Sequence, residues 1–170
     1  MRKLIAITLV LSSLLTNAAS AADHKKSTDS NSIDHFMQLY LDGYEAYLRG
    51  GENADVATVT SHFSEPLVMM PPTGPAPMAT HEKFAPNIKF FMDKVLKANG
   101  VVKLEWKKLQ ISKLSDTQAL VSGLANALDE GGNTVDQRAS IYLLTKINGN
   151  WAISVNLPHS PETIPSFSAS

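Results

Sequence analysis

Arg138, Ser140 and Tyr142 stand at alternate positions of TVDQRASIYLLTKI. On a β-strand they therefore present a guanidinium, a hydroxyl and a phenol on one face. Such a face can hold a small molecule with a polar or anionic end, the arginine acting as a charged donor and the phenol as a neutral one. An arginine on an otherwise apolar face needs a carboxylate, a ligand anion or water, because an unpaired buried charge is costly. Asp42 and Glu45 are the carboxylates that would satisfy Arg138 structurally, so a ligand-facing and a paired arginine both stay open. His159, just past the last apolar run, is a candidate base because its ordinary pKa lies near neutrality. A solvated histidine beside Pro158 is the plainer reading. Tyr44 and Tyr142 are the phenols that could steady an enolate, and core packing is the commoner role for each.

Other chemistries are excluded by composition. The chain has no cysteine, which removes disulfides, thiolate metal sites and a cysteine nucleophile. Its five histidines, His24, His35, His62, His81 and His159, are dispersed, and no metal or other cofactor is predicted. No glycine-rich phosphate loop, nucleophile elbow or acidic pair is present, so no catalytic set is complete. No long basic run argues for nucleic acid.

The elements that must position Arg138 and Tyr142 form a meander, TQALVSGLANALD, TVDQRASIYLLTKI and WAISVNLPHS, joined at Gly131-Gly132 and Asn148-Gly149. Asn-Gly between alternating runs is a strong hairpin signal and sets a register. Val121 pairs with Tyr142, Gly123 with Ser140 and Ala125 with Arg138. In the second hairpin Leu144 pairs with Ile153, Tyr142 with Val155 and Ser140 with Leu157. One face then carries Val121, Gly123, Arg138, Ser140, Tyr142, Val155 and Leu157, small and long side chains together, as a ligand site requires. The opposite face carries Ser122, Leu124, Ile141, Leu143 and Asn156, a mixed surface suited to a second subunit. A slip of one residue would exchange the two.

Upstream, Ile33, Phe36, Met37, Tyr40, Tyr44, Tyr47 and Leu48 recur at helical spacing, with Asn31 or Ser32 as cap and Gly50-Gly51 as stop. Tyr40 and Tyr44 are the members expected to reach a ligand. A second helix is expected over 53–63, then a strand in LVMMPP, then an ordered lip in PPTGPAPMAT. Thr80 can cap a third helix, with Pro86 delaying its regular part. In VVKLEWKKLQISKL the apolar parity switches between Trp106 and Leu109, which predicts a bulge near Lys107-Lys108.

The N-terminus has the plan of a secretory signal peptide. Arg2 and Lys3 precede the apolar run Leu4 to Leu15, and small residues place the cleavage site after Ala21 or Ala22. The expected organisation is a signal at 1–22, a flexible leader at 23–31, one domain at 32–160 and a flexible tail at 161–170. The mature protein is then exported, free of the membrane and periplasmic.

The order helix, helix, strand, proline-glycine loop, helix, bent strand and meander resembles the nuclear transport factor 2-like superfamily. This group includes ketosteroid isomerase, the SnoaL-like polyketide cyclases and the association domain of calmodulin-dependent kinase. The resemblance rests on YLRGGENADVATVTSHFSEPLVMMPPTG and RASIYLLTKINGNWAISVNLPHS. It implies an α+β fold in which a cone-shaped, curved antiparallel sheet wraps around N-terminal helices. It also implies a cavity for a small molecule and a homodimer through the outer sheet face. It carries over no active site. Tyr44 matches the isomerase's first-helix tyrosine in kind, but the positions of its two aspartates fall near Pro71 and at Tyr142. The arginines of the kinase association domain fall at Tyr142 and Gly123, and Arg138 lies nearby on the same face. An isomerase-like or cyclase-like enzyme using His159, and a dimeric interaction module, are the alternatives to a binding protein.

Overall fold

The computed structural model describes residues 32–70, 74 and 80–162. The signal peptide with Ala21 and Ala22, the leader, most of the proline-rich lip and the tail beyond 162 lie outside the described residues.

Helix α1 spans Ile33–Arg49. Ser32 caps it by accepting from the His35 N–H at 3.2 Å, and Asp34 and Arg49 sit at the ends where their charges oppose the helix dipole. The chain leaves it through Gly51 at φ 57°, a conformation that favours glycine. Met37, Tyr40, Leu41, Tyr44, Tyr47 and Leu48 form its buried stripe. At Gly43 the helix approaches the next one so closely that a Cβ would lie 2.2 Å from the Thr58 carbonyl oxygen.

Helix α2 is a single turn, Ala57–Thr60, shorter than the expected 53–63. Strand β1, Phe63–Met69, takes the end of that span, beginning four residues earlier than the LVMMPP motif implies. Tertiary pairing of Phe63 with Ile153 overrides the helical spacing of Val56, Val59 and Phe63. Pro66 is accommodated because β1 lies at the sheet edge, where a missing N–H costs least.

Helix α3, His81–Phe90, starts directly after its Thr80 cap. Pro86 does not delay it. The helix continues as π-helical turns over Phe91–Leu96 and a 3-10 turn over Lys97–Asn99, closed by Gly100 at φ 73°.

Strands β2 (Lys103–Lys113), β3 (Gln118–Leu128), β4 (Thr134–Ile147) and β5 (Asn150–His159) complete a five-stranded sheet of order β1-β5-β4-β3-β2. All neighbours are antiparallel except β1 and β5, which are parallel. The predicted bulge in β2 is present between Trp106 and Lys108 and brings Leu104, Trp106, Leu109 and Ile111 to one face. The inner sheet face, with Ala119, Val121, Tyr142, Leu144 and Ile153, packs against the stripes of α1 and α3 to form the core.

Candidate functional site

In the β3–β4 hairpin the register places Val121 opposite Tyr142, Gly123 opposite Ser140 and Ala125 opposite Arg138. In the β4–β5 hairpin, Leu144 pairs with Ile153, but a bulge between Leu143 and Leu144 then shifts every later partner by one. Val155 pairs with Leu143 and Leu157 with Ile141, so both residues leave the inner face for the outer one. Asn156 takes their place, opposite Tyr142. The alternating apolar run Trp151, Ile153, Val155 and Leu157 had argued for an unbroken strand. The extra residue, Ser154, breaks that alternation, and the apolar side chains beyond it are useful on either face.

At the centre of the inner face three tyrosines converge. The hydroxyls of Tyr40 and Tyr44 are 3.2 Å apart. Tyr40 also meets the rings of Tyr44, Phe63 and Tyr142 edge-on, with centroids at 5.2, 5.7 and 5.8 Å. The Tyr142 hydroxyl interacts with those of Tyr40 and Ser140. Burial pushes the phenol of Tyr44 up to about 12, and burial also raises those of Tyr40 and Tyr142. All three are thus neutral donors at physiological pH, able to hydrogen-bond a ligand oxygen and unsuited to act as bases.

Gly123 does not leave room for a ligand. The Trp106 indole fills the space above it, and a Cβ at Gly123 would lie 2.5 Å from the ring. Trp106 is held by its N–H, which donates to the Met37 carbonyl at 3.2 Å, and by an edge contact with Tyr142 at 6.3 Å. The β2 bulge that delivers this indole was legible, but the β2–β3 register that sets Trp106 diagonally from Gly123 was not, because no glycine turn joins those strands in the sequence.

Arg138 is on the inner face at the far end from Asn156. Neither Asp42 nor Glu45 is its partner: the guanidinium pairs with Asp136, two residues earlier on the same strand. It also lies 5.5 Å from the ring centroid of Phe91, on the π-helical turn. Its side chain is 39% exposed, yet Nε is buried and has no partner within the chain.

His159 is paired with Ala139 and so belongs to the outer face, away from Tyr142. Its Nδ1 is 2.8 Å from the Ser160 carbonyl. The histidine that does approach the tyrosines is His62, whose ring centroid is 5.8 Å from that of Tyr40. Its buried Nδ1 has no partner within the chain, and burial lowers its pKa below the usual value. Among the described residues no group of three or more histidine, aspartate or glutamate side chains is placed to hold a metal ion.

A helix-filled curved sheet with a cluster of protonated phenols inside defines a mixed α+β protein of the nuclear transport factor 2-like class. Residues 29–161 match the family described as NTF2-like protein (DUF6841), and the chain belongs to that family. A search of curated proteins returned no match. Among solved structures, it is similar to a Nostoc punctiforme protein of unknown function with a cystatin-like fold. The identity is 15%, the match covers 78% of this chain and 93% of the other, and the TM-score is 0.59. A ketosteroid isomerase-like protein from Erwinia carotovora atroseptica matches at 17% identity, covering 79% of this chain and 99% of its own, with TM-score 0.52. An NTF-2 like protein of unknown function from Shewanella oneidensis matches at 16% identity over 74% and 97%, also with TM-score 0.52. These likenesses establish the fold.

Proposed function

We propose that this is an exported, periplasmic homodimer that binds a small, mainly apolar molecule between sheet and helices, with a polar or anionic end toward Arg138. The observation that carries the reading is the meeting of three tyrosine hydroxyls in an apolar interior, on the same sheet face as an arginine whose buried Nε lacks a partner. Phenols of this kind hold a ligand by neutral hydrogen bonds, and a partly exposed guanidinium suits the entrance. Proton transfer by His159 has no comparable support, because that ring is on the outer face.

Two further observations support the dimer and export. The β5 bulge adds Val155 and Leu157 to Leu120, Ile141 and Leu143 on the outer face, making a half-exposed apolar strip. Arg2, Lys3, the run Leu4 to Leu15 and the alanines at 19, 21 and 22 support export.

The test is native mass spectrometry of protein purified from its own periplasm, followed by titration of any recovered ligand into Arg138→Ala and Tyr142→Phe. Weaker binding by both variants is expected. Unchanged binding of every recovered ligand would place the site elsewhere.

A further inference from the structure

Asn156 is a buried inner-face side chain that the tyrosine network leaves unsatisfied. It is 6% exposed, and its Oδ1 is buried with no hydrogen-bond partner within the chain. Its main-chain carbonyl is already used, accepting from the Met70 N–H at 3.0 Å, so the unpartnered acceptor is the side-chain Oδ1. Leaving a buried amide oxygen without a donor is unfavourable. Such atoms in folded proteins are nearly always matched by a donor from protein, water or ligand.

The surroundings limit what that donor can be. Across the β4–β5 pair stands Tyr142, and across the β1–β5 pair stands Met69. The hydroxyls of Tyr142 and its neighbours on this face interact with one another. The cations on this face, Arg138 and Lys146, are each four residues from Tyr142 along β4, about 13 Å at the usual strand rise; Arg138 is paired with Asp136, and Lys146 lies 5.1 Å from the Trp151 ring centroid. A carboxylate at the Asn156 end would meet amide lone pairs with no counter-charge. A ketone or ether could accept from a tyrosine but offers no donor to Asn156 Oδ1. An ammonium would be buried without an anion. A hydroxyl is the small neutral group that both donates and accepts.

We propose that the inner end of the site recognises an uncharged alcohol or phenol hydroxyl, which donates to Asn156 Oδ1 and accepts from a hydroxyl of the Tyr40–Tyr44–Tyr142 cluster. The inference rests on the small-molecule reading above and names the group at the end opposite Arg138. It also gives the β5 bulge a function, since without Ser154 as an extra residue the amide would point out of the sheet.

A matched pair of probes tests it: naphthol and its methyl ether, methoxynaphthalene, titrated into the full chain by calorimetry. Naphthol is expected to bind about tenfold more tightly, the value of one buried hydrogen bond. In Asn156→Leu the gap should close, chiefly by loss of naphthol affinity with the ether still bound. Tyr142→Phe, which keeps the ring and its packing, should narrow the gap as well and serves if the leucine variant does not fold. Equal binding of the two probes to the unaltered protein overturns the inference and leaves the pocket standing; a water fixed on Asn156 would give that result. A preference for naphthol that survives both substitutions also overturns it. If neither probe binds and native mass spectrometry recovers no ligand, the small-molecule reading fails, and this inference with it.

Discussion

His62 shows how one half-buried side chain couples stability to acidity. Its ring lies between Phe36 and Tyr40, with centroids at 5.7 and 5.8 Å, and its Nδ1 has no partner within the chain. Burial lowers its pKa, and nearby backbone carbonyls and Asp42 only partly offset that. The unfolded chain therefore takes up a proton at about 6.5, before the folded one does. The stability that neutral His62 allows is fully present above that pH and is lost as pH falls through the lower folded value. Urea midpoints measured from pH 7.5 down to 5 should fall for the natural protein and fall less for His62→Gln. Carboxylates held low, such as Asp93 beside Lys89, titrate in a more acidic range and do not confuse the comparison. Parallel curves for the two proteins would remove His62 from the account.

At the scale of elements, two bulges had different visibility. The β2 bulge was legible because the apolar residues change parity across it, Trp106 before and Leu109 after. The β5 bulge was not, because Trp151, Ile153, Val155 and Leu157 alternate as if unbroken, and both faces of the strand are apolar enough to accept either set. The first hairpin register and the sheet-facing helix stripe could be read from glycine turns and helical spacing. Asn156 could not, since a polar residue between apolar ones reads as outward-facing. Helix α2 was overestimated because Phe63 satisfies a helical period and a strand equally well until its partner is known. The contact between β2 and β3 makes its own prediction. Gly123→Ala would drive a Cβ into the Trp106 ring, whose N–H is tied to α1, so the indole cannot simply swing away. A loss of about 1–3 kcal/mol is expected from overpacking. Denaturant unfolding followed by far-ultraviolet circular dichroism measures it, and in a Trp106→Leu background the same Gly123→Ala change should cost much less. An equal cost in both backgrounds would show that the strain lies in the β3 backbone.

For the whole molecule, the two sheet faces have separate consequences. The inner face is closed by α1 and α3, while the outer strip of Leu120, Ile141, Leu143, Val155 and Leu157 is half-exposed in a single chain. Charge placed on that strip should disturb association without touching the tyrosine cluster. Leu143→Glu is expected to convert a dimer into a monomer by sedimentation, with the far-ultraviolet spectrum and the naphthol affinity retained. A variant that remains dimeric would locate the interface elsewhere, and natural protein that sediments as a monomer would dispose of the dimer altogether. Because 155 and 157 face outward and 156 inward, substitutions at 155 and 157 are expected to alter the proposed assembly, and those at 156 the proposed recognition.

The parallel pairing of β1 with β5 joins the first strand to the last, with α3 and three strands between them in sequence. No local hairpin can supply that partner, so β1 has no place in the sheet until the final strand is available. During synthesis Phe63, Leu67 and Met69 therefore wait, unpaired, for residues still inside the ribosome. Under the export proposed above, a chain threaded through a secretion channel before it folds would gain time from that arrangement, because β1 cannot pair before β5 has followed.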